Sequence, residues 1–174
     1  MPESFHLKPV IKPLGKHHDR AAFDCGVEAL QHYIREQAGQ DMQRKIAATF
    51  VLVGDTSAAI VGYYTLSSTS VNIVELPEQV ARKLPRYPMM PATLIGRLAV
   101  GRHYQGRGYG KFLLADALRR CLIATEQVGS VAVIVDAKDD KAKAFYEHFQ
   151  FIPLVNYSHR LFLPMVVIED YFTR

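Results

Sequence analysis

Apolar positions change their period several times along the chain, and each change marks an element. In "DCGVEALQHYIREQAGQDMQRKI", Val27, Leu30, Tyr33 and Ile34 recur at helical spacing on one face, and Asp24 is placed as an N-cap. "ATFVLV" and "AIVGYYTLSS" are β-rich runs on either side of "GDTSA", the pattern of a hairpin. "LPEQVARKLPRYPMMP" holds four prolines and predicts a short helix followed by an irregular loop. "TLIGRLAV" is a strand that feeds a glycine-rich loop. The helix after that loop turns Leu114, Ala117, Leu118 and Cys121 toward the core. "SVAVIVDA" reads as an apolar strand, "DDKAKAFYEHF" as a short helix capped by Asp139 or Asp140, and "RLFLPMVVI" as a final strand. This alternation predicts a mixed α/β domain, a sheet covered by helices.

A chain of 174 residues suits one domain with a real core, here residues 1–174. With 49% apolar and 22% charged residues, the composition is that of a globular protein rather than a disordered one. No apolar run approaches the roughly 18 residues of a membrane span. "MPESFHLKPVIKPLGKHHDR" has no apolar core of an export signal, so a cytoplasmic location is expected. Cys25 and Cys121 lack CxxC spacing, which favours reduced thiols over a disulfide or a metal site.

Charge changes the picture more. The net charge is only +4, yet Arg82, Lys83, Arg86, Arg97, Arg102, Arg107, Lys111, Arg119 and Arg120 crowd into one segment, with Asp116 its single acid. So lopsided a segment points to an anionic partner: a cofactor's phosphates, a nucleic acid, or both.

Within that segment lies "HYQGRGYGK", where three glycines precede a helix. The first N–H groups of a helix lack partners and the dipole is positive there, so anions are stabilised. Glycine lets the backbone take positive φ and approach a ligand closely. A pyrophosphate is the natural occupant, with Arg102, Arg107 and Lys111 adding charge. Phe112 after Gly110-Lys111 excludes a P-loop, which needs Ser or Thr there. Gly106, Gly108 and Gly110 are spaced G-x-G-x-G, which excludes the Rossmann fingerprint.

The stretch does resemble the acetyl-CoA signature Gln/Arg-x-x-Gly-x-Gly/Ala of the GNAT superfamily of N-acetyltransferases. Gln105, Gly108 and Gly110 stand at its positions, and "IGRLAV" matches that family's central strand. "DAKDDKAKAFYEHFQF" is similar to its second half, with Tyr146 at the tyrosine position and Phe151 at the closing aromatic. Gln150 stands where Gly is usual, and Asp139 where an Asn often contacts CoA. The resemblance runs over about residues 20 to 168. It implies a mixed, mostly antiparallel central sheet flanked by helices and splayed in a V at the acetyl-CoA site. It also implies a CoA site made by Leu98, Ala99, Val100, Gln105, Gly106, Arg107, Gly108, Tyr109, Gly110, Lys111, Asp139 and Phe145.

Acetyl transfer needs a free amine at the thioester, a donor for the oxyanion and a proton for the departing thiolate. The resemblance implies that the donor is a backbone N–H of Leu98, Ala99 or Val100, and that Tyr146 is the proton donor. A phenol of pKa about 10 is protonated at neutral pH and can still protonate a thiolate whose conjugate acid lies near 8.5. The alternative for Tyr146 is a core aromatic with a satisfied hydroxyl. From Met89 to Phe112 there is no carboxylate to act as a base. A lysine ε-amine at about pKa 10.4 would be almost wholly protonated, whereas an α-amine near 7.7 to 8.0 would not. The acceptor expected is therefore an α-amine, unless Glu75, Glu78, Glu147 or a water chain supplies the base.

"FDCGVEALQHYIREQAGQDMQRKIAATFVLV", "GYYTLSS", "LPRYP" and "RLFLPM" further resemble the GNAT-type toxins of bacterial type II toxin–antitoxin modules. That resemblance implies acetylation of the α-amine of aminoacyl-tRNA, neutralisation by a ribbon-helix-helix antitoxin, and a homodimer. Arg82, Lys83 and Arg86, with Lys8, Lys12 and Lys16, then become candidates for the RNA backbone. Tyr87 is a candidate for base stacking, and Arg97, which breaks an apolar strand, is a candidate to enter the cleft and bind the tRNA. Two other readings remain: a GNAT enzyme for a small amine or a protein α-amine, and a CoA- or antitoxin-binding module without turnover.

Overall fold

The computed structural model describes residues 8–54 and 57–173. Its sheet has seven strands in the order β1-β2-β3-β4-β5-β7-β6. These are β1 (Pro9–Pro13), β2 (Ala48–Gly54), β3 (Ile60–Asn72), β4 (Met89–Val100), β5 (Ala132–Asp136), β6 (Ile152–Pro153) and β7 (Arg160–Pro164). The pairs β1–β2, β2–β3, β5–β7 and β6–β7 are antiparallel, and β4–β5 is parallel. The parallel pair follows from its connection, since a long helix lies between these strands in the chain. The α/β class is thus as the pattern predicts, and the mostly antiparallel sheet as the resemblance implies. The chain divides into two compact units: residues up to Leu66 with Arg97–Asp116, and Ser67–Gly96 with the residues from Ala117 onward.

In the first unit, α1 (Glu28–His32), a π turn (Tyr33–Gln37) and α2 (Ala38–Gln43) run on from one another. Tyr33 and Ile34 are buried in a core with Phe23, Val51 and Tyr63, and Val27 and Leu30 pack against it. The predicted face is therefore the buried one. Asp24 is not its cap: Val27 holds the N-cap position without a side-chain bond, and the Asp24 carboxylate accepts from Gly26 N–H at 3.1 Å instead. Gln31 Oε1 accepts from the N–H groups of Cys25 (3.0 Å) and Gly26 (2.9 Å), so an amide three residues into the helix ties down its approach. The β2–β3 hairpin forms as expected, although Asp55 and Thr56 of its connection lie outside the described residues. β1 is an edge strand that the pattern does not announce; its prolines sit at its two ends, where an edge tolerates them.

The second unit places α3 (Glu78–Ala81), α5 (Asp140–His148) and α6 (Met165–Thr173) with β5, β6 and β7. Its core gathers Val71, Leu76, Met90, Ile134, Leu154 and Phe162. Two expectations need correction. "PMMP" is not loop, because β4 already starts at Met89. "RLFLPMVVI" is not one strand, because β7 ends at Pro164 and α6 begins at Met165. Pro164 closes the ladder opposite Ala132, Met165 N–H donates to Val131 O at 2.8 Å, and Met165 and Ile168 then turn inward at helical spacing. Between the units in sequence, α4 (Tyr109–Ala124) buries Leu114, Ala117, Leu118 and Cys121 as predicted.

Candidate active site

β4 delivers the chain into the glycine loop with little slack. Gly101 N–H donates to Val61 O at 2.7 Å and Arg102 N–H to Asp24 O at 2.7 Å. Gly106 (φ 78) and Gly108 (φ 86) are both in the left-handed region that L side chains rarely adopt. A Cβ built on either would meet nothing within 4 Å. The turn is therefore exposed main chain with open space beside both glycines, immediately before α4 begins at Tyr109. An anion is stabilised where such exposed main chain leads into the N-terminus of a long helix.

The loop's side chains divide by task. Gln105 turns back, its Nε2 donating to Val100 O at 3.0 Å and Cys25 O at 3.1 Å, so its amide holds the loop to β4 and to the Phe23–Val27 segment. Arg102 pairs with Asp24 at 3.3 Å and lies over Gly26. The Tyr109 ring meets Tyr104 edge-on, and Arg107 and Lys111 stand exposed. On β4, Ala99 is buried while Leu98 and Val100 are half-buried. Close approach of the β3 backbone requires Gly62, whose Cβ would stand 2.7 Å from Ala99 O. Arg97 does break the apolar strand, and its guanidinium lies 3.5 Å from the centroid of the Tyr33 ring. It stacks on the core of the first unit as a cation–π contact.

In the second unit, Asp139 rather than Asp140 is the N-cap of α5, its carboxylate accepting from Ala142 N–H at 2.8 Å. Tyr146 is buried on that helix, its ring tilted 5.4 Å from Phe151 and edge-on 5.3 Å from Phe145. Gln150, where glycine is usual, takes φ 71 at the turn after the helix. Burial pushes the Tyr146 phenol well above its ordinary range, which keeps it protonated throughout the neutral region. The cations Arg82, Lys83 and Arg86 are exposed with Tyr87 beside them, and Arg82 also pairs with Glu78 at 2.8 Å.

Both thiols are free and buried, and burial pushes Cys121 up to about 12, far from a nucleophile's range. Among the described residues no group of His, Cys, Asp or Glu is placed to hold a metal ion. No described helix is long and apolar enough to cross a membrane.

Residues 46–153, which contain the glycine loop and Tyr146, match the family model described as an acetyltransferase (GNAT) domain. The chain belongs to the GNAT acetyltransferase family. Among the relatives of this acetyltransferase is a tRNA-acetylating toxin of Mycobacterium tuberculosis, 39% identical over 76% of this chain and 78% of that one. A probable toxin TacT of Sinorhizobium fredii is 31% identical, over 94% of each chain. Among solved structures, AtaT complexed with acetyl-methionyl-tRNAfMet superposes with a TM-score of 0.88 at 34% identity, covering 95% of this acetyltransferase and 99% of that chain.

Proposed function

We propose that this acetyltransferase moves the acetyl group of acetyl-CoA onto the α-amine of an aminoacyl-tRNA, and that this makes it a toxin of translation. What carries the reading is the open main-chain cradle at Gly106 and Gly108 in a chain similar over most of its length to tRNA-acetylating toxins. Residues 1–174 act as one catalytic domain in this reading. The pyrophosphate is gripped by the N–H groups of residues 106–110, with Arg107 and Lys111 adding charge. Gln105 and Arg102 serve that site by fixing the loop, and Tyr109, Asp139 and Phe145 line the path of the pantetheine. The thioester carbonyl accepts from a backbone N–H of Leu98, Ala99 or Val100.

Tyr146 supplies the proton that the departing thiolate takes up. Its raised pKa does not disqualify it, because a thiolate in the same apolar surroundings is destabilised by the same desolvation and becomes a stronger base. Arg82, Lys83 and Arg86 run along the RNA backbone, where neutralised phosphates release counterions. Arg97, stacked on Tyr33, joins them as a contact to the tRNA. Because the substrate is charged tRNA, the setting is cytoplasmic. A ribbon-helix-helix antitoxin is the partner that restrains the activity; AtaT is known bound to the C-terminus of its antitoxin AtaR. We also assign a homodimer as the working state.

Induced expression in bacteria beside Tyr146→Phe, with mass spectrometry of charged tRNA, tests the proposal. Growth arrest and N-acetylated aminoacyl-tRNA are expected from the wild type alone, with acetyl-CoA still bound by the variant. Normal growth without modified tRNA would refute the toxin. Charge reversal at Arg82, Lys83 and Arg86 should abolish tRNA modification and spare cofactor affinity. A small-amine enzyme would keep its rate.

A further inference from the structure

The mechanism above has an acid and no base, and the central strand offers none. A base-like constellation does exist in the second unit. Ser158 Oγ lies 2.8 Å from His159 Nδ1, and His159 Nε2 lies 2.8 Å from Asp140 Oδ1. The carboxylate only accepts, so Nε2 carries the proton it donates to Asp140. Nδ1 of the neutral ring is then a lone pair that accepts from the Ser158 hydroxyl. Asp140 begins α5, the helix of Tyr146, and His159 immediately precedes β7.

The three residues are held in place by backbone. Ala137 N–H donates to His159 O at 2.7 Å, Leu154 N–H to Arg160 O at 2.9 Å, and Val155 N–H to Glu75 O at 2.7 Å. Asn156 takes φ 70 to make the turn, and the Tyr157 hydroxyl donates to Glu75 at 3.2 Å. Ser158 and His159 line an open cavity of about 400 Å³ at the end of β5, with Tyr157, Asp136 and Arg160 also on its wall. Asp140 from α5 pairs with the imidazole, and Asp136 from β5 and Arg160 from β7, 3.7 Å apart, are the other charged groups on the cavity wall.

We propose that this cavity receives the acceptor amine and that the Ser158–His159–Asp140 chain takes its proton. The inference rests on the aminoacyl-tRNA reading, since it needs an α-ammonium as the incoming group. One ammonium N–H donates to Ser158 Oγ, the Ser158 hydroxyl proton passes to His159 Nδ1, and the ammonium proton replaces it on Oγ. The amine is left with its lone pair, and the imidazolium formed is stabilised by Asp140. No bond to the protein forms and no redox partner is needed. A carboxylate on the central strand is then unnecessary.

The test is the pH profile of kcat/KM for transfer from radiolabelled acetyl-CoA to an in vitro charged tRNA pool, between about pH 6 and about pH 9. His159→Gln and Ser158→Ala are both changes at the surface. For each, the acidic limb should rise to that of the amine itself, about 7.7 to 8.0, with a loss of about tenfold near pH 6.5 that shrinks to within about twofold above pH 8.5. A residue that merely shapes the loop would lower the whole curve without moving its limb. A limb unmoved in both variants overturns the inference and leaves the toxin reading standing. Absence of transfer by the wild type overturns the toxin reading itself, and the inference with it.

Discussion

Gln105 reaches back from the glycine loop to Val100, the last residue of β4, and donates to its carbonyl at 3.0 Å. The same nitrogen donates to Cys25 O at 3.1 Å, so one amide joins three segments. Each such bond contributes about 0.5–1.5 kcal/mol net. Gln105→Ala should lower unfolding free energy by about 1–2 kcal/mol and raise the KM for acetyl-CoA, because the cradle loses its tether. Denaturant unfolding and initial-rate kinetics read the two effects separately. A variant with unchanged KM would show that the loop keeps its shape unaided.

Gly108 is where a side chain would meet no part of the protein. Its φ of 86 makes an L residue strained by about 1–2 kcal/mol, while a Cβ there meets nothing. Gly108→Ala should therefore cost modest stability and weaken acetyl-CoA binding by about tenfold or more, as titration calorimetry would show. Truncating the exposed neighbour with Arg107→Ala should cost less affinity. The opposite order would mean that the arginine, not the main chain, carries the grip.

Gly62 makes the contrasting case. Its Cβ would stand 2.7 Å from Ala99 O and 2.8 Å from Leu113 Cδ1. The carbonyl cannot yield without bending β4. Gly62→Ala should destabilise the fold by about 1–3 kcal/mol, the range of an overpacked core, and reduce kcat along with stability. Thermal unfolding beside an activity measurement at low temperature would check both. A variant as stable as the wild type would place the two strands further apart than described.

His18 gives the fold a dependence on acidity. It is buried and accepts from Gly15 N–H at 2.9 Å through Nδ1, while its Nε2 has no partner among the described residues. Burial lowers its pKa from the usual 6.5, reinforced by His17, Lys12 and Arg20. The unfolded chain therefore binds the proton more readily than the folded one. Stability from this group is fully present above about pH 6.5 and declines as pH falls below it. His18→Gln should flatten that decline in unfolding curves taken between about pH 7 and about pH 5. An unchanged slope would assign the acid sensitivity to other groups.

Much of this was open to reading in the sequence because the deciding forces there are local. The α4 stripe of Leu114, Ala117, Leu118 and Cys121 needs only a helical period and an apolar core to explain it. The glycine loop likewise declares itself by composition. Where the choice depended on distant partners, pattern failed. An unbroken apolar run from Leu161 to Ile168 has no period to separate strand from helix, and Pro164 with the Val131 carbonyl decides it. Asp24 sits in an N-cap context but is claimed by Gly26 and by Arg102, 78 residues away. The bond from the Gln105 amide to Cys25 O, 80 residues away, likewise has no signature in the sequence. The Ser158–His159–Asp140 chain shows no motif, because 19 residues separate its histidine from its aspartate.

In the proposed reaction the open turn at Gly106 and Gly108 holds the cofactor largely through peptide groups, with only Arg107 and Lys111 charged beside it, whereas the RNA would be held through cations alone. A peptide N–H neither titrates nor demands a counterion, whereas an arginine track along RNA is throttled by ionic strength. Brine should weaken the grip on the nucleic acid more steeply than that on the thioester donor, leaving an enzyme that is loaded and idle, ready to fire on dilution.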